Sequence, residues 1–162
     1  MNVLVACASK HGATAEIATA LARDLRAHDF DVDVRSAEEV DGVGEYDAVV
    51  LGSAVYMGRW LPAAVAVAEL YADELAARPT WLFSSGPVGD PLLPGPPDLT
   101  TLERQVDSRG HRIFPGRLAR NELSLAERGV VRVVSAQYGD YRDWDAVTEF
   151  AEEIAAALVV AT

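Results

Sequence analysis

A short apolar strand that leads into a helix through a loop of small and polar residues constrains the fold of this chain most. Residues 3–6 read Val-Leu-Val-Ala, a run that is short enough and rich enough in β-branched residues for a strand buried on both faces. Beyond the loop, apolar residues recur at helical spacing, at Ile17, Ala18, Leu21, Ala22 and Leu25. A strand buried on both faces needs helices on both sides of its sheet, so this opening predicts an α/β fold.

The loop between this strand and this helix predicts a phosphate site. A helix N-terminus carries unpaired N–H groups and a partial positive charge, so small residues there let a phosphate lie against the backbone. The alternative is a plain strand-to-helix turn capped by Thr14. The loop lacks the spaced glycines of a dinucleotide site and the Gly-Lys-Thr of a nucleoside triphosphate site, and it suits a single phosphate monoester. Its residues are Ser9, Lys10, His11, Gly12, Ala13 and Thr14.

Strands and helices alternate along the rest of the chain, which predicts a mostly parallel sheet. Further strands are predicted at residues 30–35, 47–52, 80–84 and 111–114. Helices are predicted from Pro62 to the residue before Pro79, over residues 98–108, and from the capping residue Asp143 to the chain's end. Residues 86–97 are rich in Gly and Pro and predict a loop, whereas residues 123–134 fit strand or helix, with helical spacing favouring a helix.

Length and net charge limit the classes of protein to which this chain can belong. The 162 residues suffice for one domain with a sizeable core. A formal net charge of −11 argues against nucleic acid as a partner, because nucleic-acid binding is driven by Lys and Arg. No run approaches the ~18 apolar residues of a membrane span, and no signal peptide precedes the first strand, so we expect a cytoplasmic protein. The single Cys7 is predicted to be a small core residue, and the scattered histidines predict no metal site.

Three loops rich in Ser, Gly and aromatic residues are expected at one edge of the sheet. They cover residues 9–14, 53–60 and 84–90, and each follows a predicted strand. Ligands of doubly wound sheets bind outside the carboxyl ends of the strands, close to the point where the strand order reverses. The first loop would hold a phosphate and the other two would clasp a ring, so the sequence predicts a flat aromatic ligand that carries one phosphate.

The first loop resembles that of the flavodoxin family, which has the pattern Thr/Ser-x-Thr-Gly-x-Thr and binds the phosphate of FMN. Ser9, Gly12 and Thr14 match, and His11 stands where a hydroxyl residue is usual. The resemblance implies FMN as cofactor and a five-stranded parallel sheet in the order 2-1-3-4-5 with helices on both faces. It also implies that the flavin carries the chemistry, with no separate catalytic residue. The residues implied at the ring are Ser53, Ala54, Val55, Tyr56, Met57, Gly58, Trp60, Ser84, Ser85, Gly86, Pro87, Val88 and Gly89.

Aromatic side chains near these loops have open roles at this point. Either Tyr56 or Trp60 is expected to stack on the ring. The alternative for Trp60 is a partly exposed aromatic at the start of the next helix. Trp81 and Trp144 are predicted to pack in the core. Gly58 permits a close approach of the backbone to the ring.

Within the flavodoxin family the chain most resembles the branch of the bacterial menaquinone-dependent protoporphyrinogen oxidase. Three segments carry this resemblance, at residues 52–58 (GSAVYMG), 111–118 (HRIFPGRL) and 139–144 (GDYRDW). Residues 119–138 correspond to a segment inserted in that branch, and residues 1–162 are expected to form one domain.

Three functions are compatible with these features. The first is an FMN-dependent oxidoreductase that takes electrons from a reduced substrate such as a porphyrinogen and passes them to a quinone, with peripheral membrane contact. The second is an electron carrier that docks redox partner proteins through its acidic surface, which otherwise serves only solubility. The third is a flavin-free relative that binds a partner or a phosphate. A hydrolase is not expected, because no Gly-x-Ser-x-Gly elbow is present and no histidine has an evident acidic partner.

Overall fold

The computed structural model of the chain describes residues 1–86, 97–118, 121, 123–133 and 139–161. Its strands are β1 (Asn2–Ala8), β2 (Asp31–Ser36), β3 (Ala48–Tyr56), β4 (Arg59–Trp60), β5 (Thr80–Ser85), β6 (His111–Phe114), β7 (Arg117–Leu118) and β8 (Gly139–Asp140). Its helices are α1 (Ala13–Arg26), α2 (Pro62–Leu70), α3 (Ala72–Ala76), α4 (Thr100–Gln105), α5 (Leu125–Val133) and α6 (Trp144–Val160). Among the described residues, no helix combines the length and apolarity needed to cross a membrane.

The main sheet has the spatial order β2-β1-β3-β5-β6, and all four neighbouring pairs are parallel. These are the five strands predicted from the sequence, so the predicted order 2-1-3-4-5 is confirmed once the short strand β4 is counted separately. β4 pairs antiparallel with the end of β3, and β7 pairs antiparallel with β8 outside the main sheet.

Helices cover both faces of the sheet because its central strands are apolar on both sides. Val3 and Val5 of β1 pack in a cluster with α1 and α6, whereas Leu4 and Ala6 pack in a second cluster with α2, α3 and α4. Successive side chains of a strand point to opposite faces, so one unbroken apolar run supplies both clusters. The edge strand β2 instead alternates at its start, with exposed Asp31 before buried Val32.

Several predicted bounds differ from the structure. β3 continues to Tyr56, four residues beyond its predicted end, because its last residues pair with β4. The helix predicted to run from Pro62 is broken at Tyr71, which has a φ of −108°. α4 is shorter than the predicted helix at residues 98–108. The helical interpretation of residues 123–134 is confirmed for Leu125–Val133, whereas residue 134 and residues 87–96 of the predicted loop lie outside the described residues.

The predicted core positions of Cys7 and Trp81 are confirmed, and that of Trp144 is wrong. Cys7 is 4% exposed, and burial raises the pKa of its thiol to about 12, which leaves it unreactive. Trp144 is 41% exposed, and the Arg142 guanidinium lies 4.7 Å from its ring centre. Trp144 is the first residue of α6, and the buried stripe of that helix begins one turn later at Val147.

Candidate functional site

The carboxyl ends of β1 and β3 lie side by side at the point where the order of the strands reverses. From β1 the chain moves outward to β2, and it then returns to β3 on the opposite side of β1. β5 follows on the far side of β3. The loops after β1, β3 and β5 therefore leave one edge of the sheet, as predicted, and this edge is where ligands of doubly wound sheets bind.

Residues 9–14, here called the phosphate loop, turn from β1 into α1 through Gly12. The φ of Gly12 is 84°, a left-handed conformation that glycine adopts without strain. Its N–H donates to Ser9 Oγ at 3.1 Å. In the described part of the chain, the N–H groups of the first three residues of α1 have no acceptor. Three unpaired donors at a helix N-terminus are the arrangement that binds an anion.

Thr14 does not cap the helix, so the simple capped turn is wrong. Gly12 occupies the cap position, and it has no side chain that could accept a hydrogen bond from the first N–H groups of α1. Thr14 is instead the second residue of α1 and only 2% exposed.

Two basic side chains of the phosphate loop meet the carboxylate of Glu127, a residue of α5. Lys10 Nζ forms an ion pair with Glu127 Oε1, and His11 Nε2 lies 3.1 Å from Glu127 Oε2. The His11 contact lacks hydrogen-bond geometry, and this nitrogen is buried without a hydrogen-bond partner among the described residues. An unsatisfied ring nitrogen in the same loop as the unpaired N–H groups fits an anion with several oxygens, such as a phosphate.

The second predicted loop is largely a tight hairpin between β3 and β4. Met57 and Gly58 form its two-residue turn with φ values of 52° and 75°, as a type I′ turn requires. Tyr56 is 39% exposed and Met57 is 62% exposed. Lys10 Nζ lies 3.8 Å from the centre of the Tyr56 ring, so this hairpin contacts the phosphate loop.

Three predicted ring contacts are buried and already hydrogen-bonded to the protein. Ser53 is fully buried, and its hydroxyl donates to Ala54 O at 2.8 Å and accepts the Leu61 N–H at 2.9 Å. Trp60 is 5% exposed, so it is neither partly exposed nor available to stack in this conformation. Its indole N–H donates to the fully buried Ser84 Oγ at 2.8 Å. These side chains hold the hairpin against the sheet.

The hydrogen bond between Trp60 and Ser84 is the first of a chain of polar contacts that runs through His111 to Glu103. Ser84 Oγ lies 2.7 Å from His111 Nε2, and His111 Nδ1 lies 3.5 Å from Glu103 Oε1. A neutral imidazole with its proton on Nδ1 satisfies the whole chain, because the Ser84 hydroxyl then donates to Nε2 while accepting from the indole. The prediction that no histidine has an acidic partner is therefore wrong. The serine of this chain is fully buried, which does not suit a nucleophile that must meet a substrate.

The pH dependence of stability is expected to change when His111 is replaced. Burial lowers the pKa of His111, so below pH about 6.5 the unfolded chain binds this proton more readily than the folded chain. The free energy of unfolding should therefore fall as the pH drops below that value, by up to about 1.4 kcal/mol per pH unit. Urea unfolding at a series of pH values should show a shallower fall for His111→Gln than for the wild type.

The exposed His28 provides the matched control. The variant His28→Gln should keep the wild-type slope. An unchanged slope in His111→Gln would contradict the assigned hydrogen-bond chain.

The paired strands β7 and β8 are tied to the first turn of α1 by two arginines that share one carboxylate, and one of these arginines also contacts the phosphate loop. Arg117 and Arg142 contact Glu16 Oε2 at 2.9 and 2.7 Å, and Arg117 Nη2 also donates to His11 O at 3.4 Å. Arg142 further pairs with Asp140 at 2.6 Å, and this hydrogen bond holds the pKa of Asp140 below its usual range. These ion pairs place β7 and β8 beside the first turn of α1.

The third predicted loop is described only at its start. Ser85 is 5% exposed, and the N–H of Gly86, with a φ of 87°, donates to Phe114 O at 2.8 Å. The predicted contacts Pro87, Val88 and Gly89 lie outside the described residues.

Glu127 and His111 were not among the residues predicted for the site. A local signal existed for Glu127, since Ser124 and Glu127 have the spacing of a capping box. No sequence pattern relates it to Lys10, which lies more than a hundred positions away.

Comparisons with known proteins agree with this geometry. The family model described as a flavodoxin domain matches residues 4–145. Among solved structures, flavodoxin 1 from Bacillus cereus is 14% identical, with 95% of this chain and 97% of that chain covered and a TM-score of 0.64. The flavodoxin of Streptococcus pneumoniae is 19% identical, with 97% and 99% covered and a TM-score of 0.62. At such identities these structures show the fold alone.

The same fold also forms one part of larger proteins. The rubredoxin oxygen:oxidoreductase of Desulfovibrio gigas is 15% identical with a TM-score of 0.65, and the match covers 98% of this chain but 36% of that one. This chain thus spans about a third of that oxidoreductase. No curated protein matches the chain. Because the family model spans most of the sequence, the chain belongs to the flavodoxin family, whose cofactor is FMN.

Proposed function

We propose that the chain is an FMN-dependent oxidoreductase of the protoporphyrinogen oxidase type, which passes electrons from a reduced substrate to a quinone or another acceptor. The coarser statement, an FMN-binding electron-transfer role, follows from the family. We also propose that residues 1–162 act as one cytoplasmic domain in which residues 119–138 are an insertion. The flavin supplies the redox chemistry when bound, and the protein supplies binding, orientation and electrostatics.

The residues of the phosphate loop fit the phosphate group of FMN. The N–H groups at the start of α1 and His11 Nε2 have no hydrogen-bond partner within the described ranges, and with the Lys10 ammonium they suit a phosphate. A Cβ added at Gly12 would meet no heavy atom within 4 Å, so the approach to the backbone is open there. The backbone of the β3–β4 hairpin would orient the ring beside it.

One observation supports the finer proposal over a plain carrier. The three segments that resemble the oxidase branch meet at the phosphate loop and the first turn of α1. The first forms the β3–β4 hairpin, and the other two supply the paired strands β7 and β8, in which Arg117 pairs with Asp140. Arg117 and Arg142 then join this pair to Glu16 in the first turn of α1. Residues far apart in sequence thus surround one edge, as expected if the branch shares a substrate site there.

The electron carrier remains the second candidate because of the surface at this edge. The hairpin presents Tyr56 and Met57, which are 39% and 62% exposed, on a protein with a formal net charge of −11. Exposed apolar groups on an acidic protein suit transient docking to a basic redox partner.

Titration of the apoprotein with FMN, followed by flavin fluorescence and absorbance, tests the cofactor first. We expect saturable binding at micromolar FMN or below. No binding in this range would reject both redox functions and leave the flavin-free relative.

Steady-state assays then separate the two redox functions. Turnover of protoporphyrinogen with a quinone acceptor is expected for the oxidase. Rapid reduction by a flavodoxin reductase, with no turnover of protoporphyrinogen, would instead establish the carrier.

A further inference from the structure

Helix α5 contacts the phosphate loop through the buried carboxylate of Glu127. Glu127 is 6% exposed, whereas Leu125, two residues earlier on the same helix, is 83% exposed. The Glu127 carboxylate meets both basic side chains of the phosphate loop, Lys10 by an ion pair and His11 at 3.1 Å. The basic groups that fit a phosphate are therefore already in contact with a protein anion.

The capping box of α5 explains part of this position but not all of it. The Ser124 N–H donates to Glu127 Oε2 at 3.0 Å, and the Glu127 N–H donates to Ser124 Oγ at 3.2 Å. A capping box needs only these two bonds, and it requires neither burial nor a cation. The contacts of Glu127 with Lys10 and His11 are additional, and they join α5 to another part of the fold.

The Glu127 carboxylate is ionised at neutral pH. The hydrogen bond from Lys10, together with that from the Ser124 backbone, holds the pKa of Glu127 below its usual range. A phosphate that arrives at the same loop brings further negative charge. Two anions that share one lysine repel each other, so the contact with Glu127 and the contact with a phosphate oppose one another.

We propose that Glu127 competes with the phosphate of the cofactor for Lys10 and His11, and so sets the affinity of the loop for FMN relative to flavins without a phosphate. In the apoprotein, Glu127 holds α5 against the phosphate loop, and a bound phosphate weakens that contact. The inference rests on the proposed binding of the FMN phosphate at residues 9–14.

Paired titrations of the apoprotein with FMN and with riboflavin, which lacks the phosphate, test this competition. Glu127→Gln keeps an oxygen for the Ser124 N–H and removes the charge. We expect FMN to bind at least about fivefold more tightly to this variant, with riboflavin affinity unchanged. Ser124→Ala removes one bond of the capping box and keeps the carboxylate, so it should leave the ratio of FMN to riboflavin affinity at the wild-type value.

Two further measurements do not depend on the flavin. Inorganic phosphate should bind more tightly to apo Glu127→Gln than to the wild-type apoprotein. In the wild type, saturating phosphate should increase hydrogen exchange of the α5 amides, as expected if α5 is released.

Each outcome decides the proposal. Unchanged or weaker FMN binding in Glu127→Gln would overturn it, as would an equal gain for FMN and riboflavin. If neither protein binds a flavin, the cofactor assignment fails by itself, and the phosphate titration decides whether Glu127 competes for an anion. Equal phosphate affinity of variant and wild type would then overturn the competition.

Discussion

Replacing Gly52 with alanine is expected to lower the free energy of unfolding by about 2–3 kcal/mol. A Cβ at this position in β3 would lie 2.2 Å from the Phe83 ring on the neighbouring strand. Phe83 is fully buried, and its ring packs against Phe114 with 6.1 Å between the ring centres. The strand or the ring must shift, and a close-packed interior resists both. Urea unfolding of the apoprotein measures the loss.

Two variants show whether the Phe83 ring causes this loss. Gly42→Ala is the matched control, because a Cβ at Gly42 has no heavy atom within 4 Å, and it should change stability by less than about 0.5 kcal/mol. Phe83→Leu alone leaves a cavity and lowers the free energy of unfolding. The double variant Gly52→Ala/Phe83→Leu should lose less stability than the sum of the two single losses, because the smaller side chain makes room for the new Cβ. A Gly52→Ala protein as stable as the wild type would contradict the packing at this position.

The framework of the sheet could be predicted because its signals are local. The apolar run at residues 3–6 identifies a strand buried on both faces, and β6 has the bounds that were predicted for it, His111–Phe114. The ambiguous residues 123–134 were resolved by helical spacing, since Leu123, Ala126 and Val130 lie three and four positions apart. The spacing of apolar residues over a short segment indicates a strand or a helix whatever the rest of the chain does.

The contacts around the site could not be predicted because they join distant residues. Trp60, Ser84 and His111 belong to three different strands, and their hydrogen bonds exist only once the sheet is assembled. The same holds for Lys10 and Glu127. Each of these polar groups looks solvent-exposed or isolated in the sequence, and only packing shows which partner satisfies it.

The β3–β4 hairpin escaped prediction for another reason. A two-residue turn of type I′ needs a positive φ at both positions, and its usual signal is Asn-Gly or Asp-Gly. This chain uses Met57-Gly58, in which only the glycine favours that conformation. An exposed methionine held at a φ of 52° carries strain, and such strain is more common at functional sites than elsewhere.

Replacing Gly12 or Thr14 with valine is expected to weaken FMN binding at least tenfold, which corresponds to about 1.4 kcal/mol. At Gly12 the φ of 84° strains a β-branched residue, and the new side chain would occupy the space beside the loop that is open in the wild type. At Thr14 the change preserves the shape and removes a hydroxyl, and a hydrogen bond to a charged group is worth about 1.5–3 kcal/mol. Fluorescence titration of the apoproteins with FMN gives both values.

Thr19→Val is the control for Thr14→Val, because it removes a hydroxyl from an exposed position further along α1, where it donates to Ala15 O at 3.0 Å. This variant should bind FMN as the wild type does. Riboflavin separates the two mechanisms: Thr14→Val should leave its affinity unchanged, whereas strain at Gly12→Val should also reduce it. Wild-type FMN affinity in both loop variants would mean that the phosphate binds elsewhere, because the free N–H groups of α1 would then have no part in holding it.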